Sequence, residues 1–163
     1  MKAASIQEIK EELNNISKTE LAALCVRLAR FKKENKELMT YLLFEAFDEA
    51  AYTDQVKKEI ELQFHQINTA SLYFVKKSLR KILRIAVKFI RYTGSSEAEI
   101  KLLLHFCSTL NASGIPYTES PVLVNIYNSQ LKKIKGAIAT LHEDLQYEYQ
   151  KELELLGVKK PGL

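Results

Sequence analysis

Apolar residues recur every three or four positions along most of this chain, and no stretch alternates over the length of a strand. The sharpest pattern lies in Thr69–Tyr92, TASLYFVKKSLRKILRIAVKFIRY. At about 100° per residue, Leu72, Val75, Leu79, Ile82, Leu83, Ala86, Phe89 and Ile90 fall on one helical face. Lys77, Arg80, Lys81, Arg84, Lys88 and Arg91 fall on the other, with Lys76 between them. Such a helix needs an apolar neighbour on one side and tolerates only water or anions on the other.

The same period runs before and after it. Ser5 with Glu8, and Ser17 with Glu20, each carry the spacing of a capping box. Ile6, Ile9, Leu13 and Ile16 follow the first; Leu21, Leu24, Cys25, Leu28 and Phe31 follow the second. A polar stretch at Phe31–Lys36 predicts a turn. Met39, Leu42, Leu43, Ala46, Phe47 and Ala50 mark a third helix. Leu38, Tyr41 and Phe44 widen its apolar arc, which predicts a central position with neighbours on more than one side. Thr53 and Asp54 offer a cap for a fourth helix carrying Val56, Ile60, Phe64 and Ile67.

The basic helix is then the fifth. Gly94 suits the residue after its end, where positive φ is needed. Ser96 with Glu99 has the spacing of a third capping box, leading into Ile100, Leu103, Leu104, Cys107 and Leu110. Ile115–Glu119 reads as a loop. Its Ile115, Pro116 and Tyr117 either offer a contact or, the favoured reading, pack beneath the next helix. Ser120-Pro121 opens that helix, proline fitting the first turn. Only Gly136 interrupts the pattern to Leu156, so a continuous last helix would be roughly 54 Å long, against a diameter of about 40 Å for a compact globule of this size; either it bends near Gly136, its acidic end projects, or the whole molecule is elongated. The predicted fold is all-α: six or seven antiparallel helices in a bundle or short α-hairpin stack, with a long C-terminal helix, in one domain over residues 1–163.

Composition changes this picture little; charge layout changes it more. The formal charge is +4. Residues 62–96 contain seven cations and no carboxylate, so the remainder is net negative. Carboxylates gather at Glu45–Glu61 and again at Glu143–Glu154. The N-terminus lacks the apolar core of a secretory signal, and no apolar run reaches the ~18 residues of a membrane span. Cys25 and Cys107 sit in helical patterns and read as reduced core residues. The compartment these features predict is cytoplasmic.

Motifs for catalysis or metal binding are missing from the pattern. His65, His105 and His142 lie far apart, and no Glu-x-x-His occurs. Cys107 and His105, two residues apart, point roughly 200° apart on a helix and cannot form a thiolate–imidazole pair. Glu45, Asp48 and Glu49 read as solvated surface. No glycine-rich phosphate loop and no known nucleic-acid module is present. The expectation is therefore a protein without metal or cofactor and without catalysis.

What remains is the row Lys77, Arg80, Lys81, Arg84, Lys88 and Arg91, about 21 Å long. Tyr73 shares its face, and Tyr92 lies at its edge. The row either pairs with the chain's own acidic zones or serves a partner. The function expected is a helical binding or scaffold module that presents this face to an acidic protein surface. That surface could be the acidic end of the last helix of a second copy, giving a homodimer. The alternative is sequence-tolerant nucleic-acid binding through the same cations, with a tyrosine stacking on an unpaired base.

Overall fold

A computed structural model describes residues 2–162, and among them the chain holds eight α-helices and no strand. The all-α expectation holds. The helices are α1 (Ile6–Asn15), α2 (Lys18–Phe31), α3 (Lys33–Thr40), α4 (Glu49–His65), α5 (Leu72–Thr93), α6 (Ser96–Ala112), α7 (Pro121–Ile138) and α8 (Glu143–Leu156). A five-residue π-helical turn, Tyr41–Glu45, and a 3-10 turn, Tyr117–Glu119, complete the set. By contacts the chain divides into two compact units, one ending at Glu45 and one beginning at Ala46.

The first unit contains α1 to α3 and the π turn. Both predicted capping boxes form. The Ser5 hydroxyl accepts from the Glu8 N–H while the Glu8 carboxylate accepts from the Ser5 N–H at 2.7 Å, and Ser17 with Glu20 repeats the arrangement. These bonds stabilise the ionised carboxylates and hold both below the usual range. The expected turn at Phe31–Lys36 shrinks to Lys32 alone, where the backbone becomes extended. Asn35 spans that break, its amide donating to the Leu28 carbonyl at 2.9 Å. None of α1, α2 and α3 has a buried residue. The expectation of a central third helix is wrong: the π turn replaces its middle, and Leu42, Leu43 and Phe44 are exposed, as is Phe47 beyond it.

The second unit contains α4 to α8. Its hub is α6, which packs against α4, α5, α7 and α8. Leu102, Leu103 and Leu104 point about 100° apart and all three are buried, as are Ile100, Phe106, Cys107 and Leu110. A helix apolar nearly all round must have neighbours nearly all round. Burial also pushes the Cys107 thiol up to about 12, so it behaves as a small core hydrophobe. Phe64 of α4 meets Phe106 at 5.4 Å between ring centres.

Three helix boundaries differ from expectation. α4 starts at Glu49, capped by Asp48, whose carboxylate accepts from the Ala51 N–H at 3.0 Å. Thr53 lies inside the helix and is buried, so Thr53-Asp54 is no cap. The cap of α6 is Ser95 and not Ser96. Its hydroxyl accepts from the Ala98 N–H and also donates to Glu49 at 2.8 Å, joining the starts of α4 and α6. The long last helix is broken. α7 stops at Ile138, two residues past Gly136, and α8 begins at Glu143. The Thr140 hydroxyl bonds the Ala137 carbonyl and Ser96, while the Gln146 amide reaches back to the Leu141 carbonyl at 2.7 Å. These side chains, with backbone N–H groups of Ala139, Thr140 and Leu141, satisfy carbonyls that the break frees. The break at Lys32 falls within the expected turn, so it is the break after α7 that takes the count past seven to eight among the described residues.

The Ile115–Glu119 loop packs inward. Ile115 and Tyr117 are buried, and Tyr117 lies 5.4 Å from Tyr127 of α7 between ring centres. The fully buried Tyr127 donates to the Leu156 carbonyl at 3.0 Å and accepts from the Asn111 amide at 3.1 Å. The Tyr117 hydroxyl donates to Asn111 in turn. This network ties the ends of α6 and α8 to α7. Asn128 then clamps the backbone of Lys159 through two bonds, 2.8 and 3.0 Å, holding the last described residues against α7.

Candidate functional site

The local sequence fixes how α5 sits. Ser71 caps its start by accepting from the Phe74 N–H. Gly94 ends it with φ of 62°, its N–H donating to the Ile90 carbonyl at 3.0 Å. Between these caps, Val75, Leu79, Ile82 and Ala86 are buried against the rest of the unit. Rotation about the helix axis is thereby set, and the opposite face turns to solvent.

Lys77, Arg80, Lys81, Arg84 and Arg91 are all exposed. Among the described residues, none of these five makes an ion pair. The carboxylates that do pair find other partners, such as Glu37 with Lys33 and Glu97 with Lys101. Lys88 is half-buried, and its ammonium lies over the Phe89 ring at 5.2 Å. Tyr73 is 63% exposed at the start of the row. Tyr92 is buried, which removes it as a stacking platform.

Part of this face is concave. Tyr73, Lys76, Lys77, Arg80, Leu83 and Arg84 line a shallow hollow of about 620 Å³. It gathers three of the predicted cations and the predicted tyrosine; Lys81, Lys88 and Arg91 do not line it. Sequence reasoning left out two of its members. Lys76 falls between the two helical faces, yet its ammonium reaches over the Tyr73 ring at 5.4 Å. Leu83 belongs to the apolar stripe, but it is only half-buried and supplies an apolar wall. The hollow therefore offers four cationic groups around apolar carbon. Its chemistry is attraction of anions, strengthened wherever a ligand also covers Leu83 and the tyrosine ring.

A second cleft of about 620 Å³ lies among α4, α6 and α8. Several of its polar groups are engaged within the chain. Glu97 accepts from Lys101 at 2.8 Å and from the Tyr149 hydroxyl at 2.7 Å, which holds its carboxyl below the usual range. Burial and the same bond push the Tyr149 hydroxyl up. Lys57 lies 3.6 Å from Asp54. His105 is partly buried there. Its Nε2 stands 3.0 Å from Glu61 but is enclosed and not aligned for a hydrogen bond. Loss of water holds this imidazole below its ordinary value, outweighing the attraction of Glu61; Lys57 adds to the depression.

The other chemical candidates do not converge. His65 and His142 are exposed, and among the described residues no group of three His, Cys, Asp or Glu could hold a metal ion. No helix of the described residues is long and apolar enough to cross a membrane. No protein-family model, curated protein or solved structure matches this chain.

Proposed function

We propose that the chain is a helical binding module whose α5 hollow receives an acidic protein surface. The observation that supports this most is the exposed, unpaired set Lys77, Arg80 and Arg84 around Leu83 and Tyr73. A carboxylate-bearing segment with one apolar side chain matches both parts of that lining. The exposed carboxylates of α8, Glu143, Asp144, Glu148, Glu152 and Glu154, are one surface of this kind. Arginine favours such recognition because its planar fork holds a carboxylate through two bonds.

The test is fluorescence anisotropy with two labelled probes, a glutamate-rich peptide containing leucine and a single-stranded oligonucleotide of equal charge. The proposal expects the peptide to bind more tightly, and the triple variant Lys77→Glu, Arg80→Glu, Arg84→Glu to lose it. Preference for the oligonucleotide, with affinity falling steeply in salt, favours nucleic-acid binding instead. Peptide binding unchanged in the triple variant removes the α5 site altogether.

A further inference from the structure

Unit one raises a separate question. Its α1 has ten residues and α2 fourteen, lengths at which an isolated helix is marginal in water. Both begin with complete capping boxes, so the sequence commits them to helix locally. Yet their apolar stripes are not covered. Ile6, Ile9 and Leu13 of α1, and Leu21, Leu24, Leu28 and Phe31 of α2, are each between 37% and 81% exposed. Both stripes keep alternating spacings of three and four, the pattern of a helix-pairing seam. α2 instead turns Cys25 and Ala29 inward, and both are only half-buried.

Two observations bear on what would cover these stripes. The first is area. Summed over the two helices, the seven side chains leave roughly 650 Å² in water, close to the ~800 Å² each partner gives to a standard interface. The second is charge. Residues 6–15 carry Glu8, Glu11 and Glu12 against Lys10. Residues 27–33 carry Arg27, Arg30, Lys32 and Lys33 and no carboxylate. Unit one is thus acidic at its start and basic towards the end of α2. An antiparallel pairing of two copies sets each acidic end against the other copy's basic end. Glu12 and Arg27 occupy equivalent positions, six residues after Ile6 and Leu21, on the same flank of their stripes. On antiparallel helices equal flanks meet.

We infer that α1 and α2 form a self-association surface, pairing antiparallel with α1 and α2 of a second copy of this chain. This does not rest on the function proposed for α5. Its effect on that function is to place two basic faces in one assembly, so that a partner with two acidic sites gains avidity.

Sedimentation equilibrium of the full chain between about 5 and 200 µM, the range in which a micromolar association shows, tests the inference. The expected result is a mass rising from 18.7 kDa towards twice that value. Leu24→Asp with Leu28→Asp should return it to monomer, with the helical circular dichroism of α4 to α8 retained. Glu12→Lys and Arg27→Glu should each weaken the dimer tenfold or more, and the two together should restore it. A wild-type monomer at the highest concentration overturns the inference. So does a dimer that survives both aspartates, or singles and double that all associate like wild type. Association lost in the Lys77, Arg80, Arg84 variant, but kept in the leucine variant, assigns the dimer to α5 and also overturns it.

Discussion

Three consecutive leucines on α6 allow a sharp test of its place as hub. Leu102, Leu103 and Leu104 point in three directions, and their exposures are 0%, 1% and 7%. On an amphipathic helix, at least one of three neighbours faces water. Here each Leu→Ala removes about three carbons, a transfer loss near 2 kcal/mol at ~0.8 kcal/mol per methylene. The cavity left behind adds roughly 1–2 kcal/mol where packing does not collapse. Each substitution should therefore cost about 2–4 kcal/mol, with Leu104 at the low end because it touches solvent. At a urea slope near 2 kcal/mol/M, the midpoint should fall by roughly 1–2 M. The chain has eight tyrosines and no tryptophan, so near-ultraviolet circular dichroism of tyrosine reports the transition of the second unit, where seven of them lie. A leucine of the three that costs under about 0.5 kcal/mol, the usual effect of a surface change, would refute the four-neighbour packing of α6.

Other expectations follow from the buried polar groups. Tyr127→Phe leaves the Leu156 carbonyl and the Asn111 amide without their partner, and should cost about 1–2 kcal/mol in the same urea assay. The His105 value is lower in the folded chain than its ordinary 6.5, so the unfolded chain binds the proton first. Its contribution to stability is complete above 6.5 and is lost as pH falls below it. Urea midpoints at pH 7.5 and 5.5 should differ more for wild type than for His105→Gln, and an equal difference would contradict this. At the other extreme, burial pushes the Tyr117 hydroxyl up to about 12, so its contribution is full below 10 and fades as pH rises above it. Alkaline melting should therefore be milder in Tyr117→Phe than in wild type, relative to each protein at pH 8.

The legible parts of the chain were those fixed by neighbours in sequence. Two of the three expected capping boxes read correctly because Ser5 to Glu8 and Ser17 to Glu20 satisfy themselves within one turn. The orientation of α5 was legible because its two faces differ so strongly. The break after α7 was legible only as one alternative, a bend near Gly136, and its place was not, since no glycine or proline lies between Ala137 and His142. It is held by Thr140 meeting Ser96 on another helix, a contact 44 residues away. The apolar arc around Tyr41–Phe47 was misread for a related reason. Density of apolar residues implies burial only if something packs there, and Leu42, Leu43, Phe44 and Phe47 remain in water. The real hub, α6, carried a similar signal in Leu102–Leu104, and only the fold separates the two cases. At the candidate site, period alone placed Lys77, Arg80, Arg84 and Tyr73 on one exposed face, but not Lys76, which falls between the two faces. Leu83 was assigned wholly to the core because periodicity does not say where a stripe runs out of neighbours.

Among the described residues, Lys77, Arg80, Lys81, Arg84 and Arg91 of α5 make no ion pair. Neighbouring cations about 6 Å apart in water repel by roughly 0.7 kcal/mol, so the row is itself a small strain on the fold. Urea unfolding of the Lys77→Glu, Arg80→Glu, Arg84→Glu variant measures this directly. The expected stability is within about 0.5 kcal/mol of wild type, or slightly above it, because no internal ion pair is broken and like-charge repulsion is relieved. A loss of about 2 kcal/mol or more would show that these side chains already hold the protein together, and would contradict a face left open for a partner.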